Sequence, residues 1–280
     1  MTVLRFLPAA VAIAAVLASC GGDPRPEPTP GADDRIVVAA LGDSITAGSP
    51  LWDPNDGIRV AIGDETDERS QYEHWAARAD PRLDFRNCGV FGERTDQIAL
   101  RLEDCAAGAD AVVIQGGIND IAQGRRPEAA AADLATMIRS AQAMGLGVAV
   151  ADVLPWNNGP PGAAAEIGRL NGMIRGLARD EDVPVLPFHD TLEDPDRPGR
   201  MKPAWTYEGD HPSVAGYRRL GERAFVLPPR AGGGQRRSSA GGSPASPDCI
   251  CGGQEPNQLS RAPSIVRTAP LKKSPAGEAR

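Results

Sequence analysis

The sequence predicts an α/β protein, a three-layer α/β/α sandwich around a five-stranded parallel sheet. Two observations predict it. Short apolar runs bounded by turn residues alternate with longer amphipathic stretches, the pattern of repeated βαβ units whose sheet is covered on both faces. The most polar, glycine-containing motifs follow directly after the apolar runs, at the strand ends where open parallel sheets place their ligands.

The elements follow in order. Residues 36–41 (Ile-Val-Val-Ala-Ala-Leu) form a β-branched, apolar run that stops at Gly42, which reads as a buried strand. Residues 70–79 read as a helix ending before Pro81. Residues 83–88 form a second, half-polar strand. Residues 95–104 read as one helix, opened by Thr95 and Asp96 in capping positions. Residues 111–115 are a third strand. Residues 127–144 are an alanine-rich helix with Pro127 in its first turn and Gly145 just beyond its end, the usual asymmetry of helix termini. Residues 147–153 are a fourth strand, and 162–179 a helix with Ile167, Leu170, Ile174 and Leu177 along one side. Residues 183–186 are a short fifth strand whose Pro184 suits an edge or a strand start. Residues 213–225 close the domain as a helix capped by Ser213. Five strands with helical crossovers fit a flavodoxin-like arrangement.

Outside residues 35–227 the composition changes. Residues 6–19 are apolar or small and end in Leu17-Ala18-Ser19-Cys20. That run is too short to span a bilayer as a mature helix and suits the core of a signal peptide, here residues 1–19. Leu-Ala-Ser-Cys resembles the bacterial lipobox, which makes Cys20 the expected lipidated residue and the cell envelope the expected location. Residues 20–34 then form a proline-rich tether. Residues 228–280 are rich in Gly, Ser, Pro and Arg with no apolar period, and are expected to be disordered. That tail holds eight Lys/Arg against three acids, so of the net charge of −7 the remainder of the chain carries −12. An acidic body disfavours nucleic acid as a partner. In an exported chain, Cys88 and Cys105 are expected to form a disulfide.

Four segments carry chemistry. Gly42-Asp43-Ser44-Ile45-Thr46 sets a serine at a strand-to-helix turn, where a hydroxyl lies exposed beside helix N–H groups. The run Gly89-Val90-Phe91-Gly92 offers glycine N–H donors in a loop after the second strand. Gly117-Ile118-Asn119-Asp120 presents a side-chain amide after the third. Glu208-Gly209-Asp210-His211-Pro212 places carboxylates beside a histidine just before the last helix. Taken singly, each has an ordinary explanation: a turn, a glycine loop, a capping asparagine, a surface histidine.

In this order and on these elements, the four segments resemble the Ser, Gly, Asn and His blocks of the SGNH (GDSL-type) hydrolase family. The resemblance implies a serine esterase with Ser44 as nucleophile and His211 as base. It implies an oxyanion hole made by the N–H groups of Ser44 and Gly92 and the amide of Asn119. No metal or organic cofactor is expected. The family pattern has Asp three residues before the histidine, where this chain has Glu208. Glu208 is the expected third member, and Asp210 is the alternative. The expected substrates are short acyl esters, with glycan O-acetyl groups and lysophospholipids both open, and a monomer is expected. Residues 49–69, long and polar, and the 155–158 loop with Trp156 are candidate pocket walls; nothing there reads as a lid helix with a broad apolar face. The competing reading is a lipid-tethered binding protein that keeps the fold without activity.

Overall fold

A computed structural model describes residues 35–229. The expected signal segment, Cys20, the tether and the tail beyond Pro229 lie outside them.

Strands β1 (Ile36–Gly42), β2 (Leu83–Gly89), β3 (Ala111–Ile114), β4 (Gly147–Ala151) and β5 (Val185–Leu186) form one sheet in the order β2-β1-β3-β4-β5. Every pairing in it is parallel. The reason lies in the side-chain period of two. Ala39, Leu41, Val112, Ile114, Val148 and Val150 face one apolar layer, while Val38, Ala40, Val113, Ala149 and Ala151 face the other. Both sets are buried, so these strands read as unbroken apolar runs rather than alternating ones. Burying each Leu or Ile fully contributes about 1.5–3 kcal/mol relative to exposure.

The helices are α1 (Ser44–Ala47), α2 (Asp56–Ile62), α3 (Tyr72–Ala79), α4 (Thr95–Ala99), α5 (Leu102–Ala106), α6 (Ile118–Ala122), α7 (Pro127–Ala143), α8 (Ala163–Asp180), α9 (Phe188–Leu192) and α10 (Val214–Arg219). In α7, Ala130, Leu134, Met137, Ile138 and Ala141 are buried, spaced as one helical face requires. With α4, α5 and α8 it covers one side of the sheet; α3, α9 and α10 cover the other. A short antiparallel hairpin, β6 (Glu193–Asp194) with β7 (Arg197–Met201), lies beyond α9.

Beside α6, α9 and the β6–β7 hairpin, which the sequence reading did not contain, three further details depart from it. The helix expected over 95–104 is two helices, α4 and α5, broken at Leu100 and Arg101. The break lets the Arg101 guanidinium reach the carbonyls of Cys88 (2.6 Å) and Gly42 (3.0 Å), which a continuous helix would not direct it to. The last helix widens into a π-turn at Leu220–Ala224. There Gly221 packs so closely that a Cβ would sit 2.4 Å from the Tyr72 carbonyl oxygen. Residues 49–69 contain α2, a helix that buries none of its side chains. Cys88, at the end of β2, and Cys105, in α5, are bridged, with their Cα atoms 6.1 Å apart.

Candidate active site

The first three segments lie where β1, β2 and β3 end, and the loop before α10 faces them. β1 ends at Gly42, and Asp43 caps α1 by accepting the Ile45 N–H at 2.9 Å. Gln115, at the end of β3, braces that turn: its Oε1 accepts from the Thr46 hydroxyl at 2.9 Å and from the Asp43 N–H at 3.3 Å. Asn87 Nδ2 donates to the Thr46 carbonyl at 2.7 Å, and Gly89 lies against the backbone of Ala47, where a Cβ would meet the amide nitrogen at 2.0 Å. The turn therefore has little freedom. Ser44 is 5% exposed at its tip.

His211 arrives from the opposite side. Its carbonyl accepts from the Tyr207 N–H and the Thr206 hydroxyl, both at 2.9 Å. The preceding residues are tied to the loop after β4: Asn157 N–H donates to the Gly209 carbonyl at 2.7 Å, and Asn158 Nδ2 to the Glu208 carbonyl at 3.2 Å. The imidazole is 8% exposed, and Phe91 stacks beside it with ring centroids 6.0 Å apart. Its Nε2 lies 3.0 Å from Ser44 Oγ. Its Nδ1 makes a short hydrogen bond with Glu208 Oε1. Asp210 Oδ1 is 3.3 Å from the same nitrogen, an ion-pair distance, but makes no hydrogen bond among the described residues. Glu208 is thus the hydrogen-bonded partner and Asp210 an auxiliary charge.

The electrostatics follow from this arrangement. Burial pulls the imidazole pKa down, and the adjacent Asp210 and Glu208 carboxylates more than offset it, so it lies above the ordinary value of 6.5. His211 in turn holds the Asp210 carboxyl below its usual range. Asp43 is raised to about 6, chiefly by burial, with the Ile45 N–H and Gln115 opposing.

The other expected residues are close by, in differing states. Asn119, in α6, lines a small cavity of about 70 Å³ together with Ser44, Trp156 and His211. Its Nδ2 donates to the Glu93 carbonyl at 3.0 Å, and an amide nitrogen has a second hydrogen to offer. Gly92 has φ +79° and follows Phe91 in the loop, but it is not on the wall of that cavity. Residues 49–69 and Asn158 border a larger groove of about 550 Å³ beside His211. Arg101 was not singled out from the sequence. Besides its two carbonyl bonds it pairs with Glu93 Oε2 at 2.6 Å, so one guanidinium ties the ends of β1 and β2 to the Gly92–Glu93 loop.

Two groups among the described residues bring potential metal ligands within 4.8 Å of one another: Glu208, Asp210 and His211, and His189, Asp190 and Glu193. In the first, Nδ1 already faces the carboxylates and Nε2 faces Ser44, a hydrogen-bonded relay from carboxylate to hydroxyl.

The sequence pattern of the GDSL-like lipase/acylhydrolase family matches residues 40–219, well over half of the chain and all four segments. The chain belongs to this family. It is a carboxylic ester hydrolase. Solved structures share the fold of this GDSL-like hydrolase. A putative lipolytic protein of the G-D-S-L family from Desulfitobacterium hafniense is 21% identical, with TM-score 0.55, covering 67% of this chain and 97% of its own. A GDSL-like lipase from Bacteroides thetaiotaomicron is 21% identical, with TM-score 0.53, covering 69% and 87%. A G-D-S-L family lipolytic protein from Veillonella parvula is 20% identical, with TM-score 0.53, covering 66% and 94%. No curated protein sequence matches the chain.

Proposed function

We propose that this hydrolase is an extracytoplasmic serine esterase for short acyl esters, working through Ser44, His211 and Glu208. The observation that carries the proposal is the continuous relay Glu208–His211–Ser44, with 3.0 Å between Nε2 and Oγ. His211 accepts the Ser44 proton as Oγ attacks the ester carbonyl carbon. Glu208 fixes the imidazole with hydrogen on Nδ1 and stabilises the imidazolium that forms. The tetrahedral oxyanion is met by the N–H groups of Ser44 and Gly92 and the second amide hydrogen of Asn119; one such donor is worth about 3 kcal/mol of barrier. His211 Nε2 then gives the proton to the leaving alkoxide as the ester C–O bond breaks. Water attacks the acyl-serine with the same base, releasing the acid and restoring Ser44.

Short acyl groups suit the cavity of about 70 Å³ at Ser44 and Asn119. Export is supported by the signal-like residues 1–19 and by the Cys88–Cys105 bridge, since disulfides persist mainly in oxidising compartments. Anchoring through a lipid on Cys20 completes the reading.

Hydrolysis of p-nitrophenyl acetate by the full-length protein tests it. Ser44→Ala is expected to lower kcat by at least ~10³-fold. A folded wild-type protein inert toward acetate through octanoate esters would overturn the proposal.

A further inference from the structure

The site has two unequal compartments that share Phe91, Asp210 and His211. The smaller, about 70 Å³, contains Ser44, Ile45 and Asn119: the attacking oxygen and the amide proposed to meet the oxyanion. The larger, about 550 Å³, is bordered by His211, Glu208 and Asp210 but by neither Ser44 nor Asn119. The shared residues make the two compartments neighbours around the His211 ring.

Resting on the esterase reading above, we infer that the larger groove receives the alcohol half of the ester, and that the substrate class is acetate-sized esters of bulky, apolar alcohols. The chemistry assigns the sides. The acyl carbon stays bonded to Ser44 Oγ, with its oxygen held at the donors beside Asn119. The leaving oxygen must lie within reach of His211 Nε2, which gives it a proton. The alcohol therefore extends past His211, away from Asn119, and the groove lies there.

The groove wall identifies the kind of alcohol. Pro50, Trp52, Ile58, Ile62 and Phe91 line it, and its volume is that of a site for a drug-sized ligand. Its polar neighbours are largely engaged within the chain: Asn158 Nδ2 donates to the Glu208 carbonyl, Asp53 Oδ1 accepts the Asn55 N–H at 2.8 Å, and the Glu208 and Asp210 carboxylates face the His211 ring. A hydrocarbon body is suited to the apolar part of this wall, formed by Pro50, Trp52, Ile58, Ile62 and Phe91.

α2 explains how the wall is held. None of its side chains is buried, so it adds nothing to the core. Even so, it is anchored by its own contacts. Asn55 caps it through the Gly57 N–H at 2.8 Å, and Arg59 sits 4.7 Å over the Trp52 ring. Ile58 is 43% and Phe91 63% exposed, apolar surface that an apolar alcohol would cover.

The test is kcat/KM of the full-length protein on esters with leaving groups of similar acidity, phenyl acetate and 2-naphthyl acetate, and on 2-naphthyl octanoate. The naphthyl acetate is expected to exceed the phenyl acetate by about tenfold, and the octanoate to fall below the acetate by about tenfold. Ile62→Trp fills the groove without disturbing the core, because α2 buries nothing. It should remove the naphthyl preference, lowering 2-naphthyl acetate about tenfold more than phenyl acetate. Val60→Ser, on the same helix but off the groove wall, should change neither rate. An Ile62→Trp effect confined to the octanoate would place the acyl chain in the groove and overturn the inference. So would an O-acetylated sugar turned over faster than 2-naphthyl acetate. If no ester is hydrolysed at all, the esterase reading has failed, and titration with 2-naphthol by calorimetry decides the groove separately. Binding in wild type that Ile62→Trp abolishes supports the groove; no binding overturns it.

Discussion

The sheet edge that carries Ser44 and the inserted residues 49–69 border the same site and are built in opposite ways. β1 from Val38 onward and β3 are enclosed: Val38 through Leu41 and Val112 through Ile114 are each 0% exposed. α2 buries nothing, and its Val60 is 81% exposed. The Ser44–His211 distance thus depends on a packed interior, where a lost methylene is felt throughout. The shape of the groove depends on a surface helix held by its Asn55 cap, the Arg59–Trp52 cation–π contact and hydrogen bonds from Arg59 to the Asp53 carbonyl and from Thr66 to the Arg59 carbonyl. On the proposed mechanism, bond-breaking and selectivity reside in separable parts, and substitutions should sort accordingly: rate on the buried side, substrate preference on the exposed side.

The largest expected effect is on the buried side. In the proposed mechanism catalysis needs neutral His211, so kcat/KM should rise with pH to a plateau with its midpoint above 6.5, because the two carboxylates outweigh burial. Glu208→Gln removes the charge and lets an amide NH2 face Nδ1, so the tautomer with hydrogen on Nδ1 is no longer enforced. The plateau should drop about 10²–10⁴-fold and the midpoint should move to lower pH. Asp210→Asn removes a charge but no hydrogen bond. Its midpoint should also fall while its plateau stays within about threefold of wild type. A pH–rate profile of both variants that reversed these roles would make Asp210 the third member.

Arg101 comes next. One guanidinium holds Gly42, Cys88 and Glu93, and the Glu93 carbonyl receives the Asn119 amide. Arg101→Ala should loosen the proposed oxyanion donors relative to Ser44, lowering kcat about ten- to a hundredfold. KM should move little, since Arg101 borders neither compartment. Steady-state kinetics with a matched Arg101→Lys variant check this. Lysine keeps the charge but cannot span three acceptors, so it should fall between the two. A rise in KM with unchanged kcat would refute the positioning role.

What the sequence disclosed follows the same division. The five strands and the long helices were legible because their periods are local. Ser44, Asn119 and His211 were legible because each adjoins a strand end or a helix start. Arg101 was not, because its acceptors lie 8, 13 and 59 residues away and nothing near it in sequence signals them. α2 was not, because Asp-Gly-Ile-Arg-Val-Ala-Ile pairs glycine with β-branched residues, a composition of weak helix propensity. Its Asn55 cap and the glycine that follows it, Gly63, were the only local signals of its ends. The choice between Glu208 and Asp210 depended on the backbone path between them. Gly209, at φ +115°, turns the chain so that the longer glutamate reaches Nδ1.

The smallest expected effect concerns the electrostatic cost of the buried side. Asp43 is enclosed beneath the nucleophile turn and its carboxyl is raised to about 6, mainly by burial. A carboxyl whose folded pKa exceeds its unfolded value of 3.8 binds its proton more tightly when native. Its contribution therefore falls as pH climbs from about 4 and is lost above about 6. Asparagine keeps an oxygen to cap the Ile45 N–H and cannot ionise. Asp43→Asn should thus be close to neutral at pH 4.5 and stabilising at pH 8, by about 1–3 kcal/mol. Urea unfolding of both proteins at the two pH values measures the difference. A pH-independent gap would mean that the carboxylate carries no burial cost. A gap that widens with pH would show that the rigid edge gives up stability to keep this turn, whereas α2, all of whose side chains reach solvent, bears no such cost.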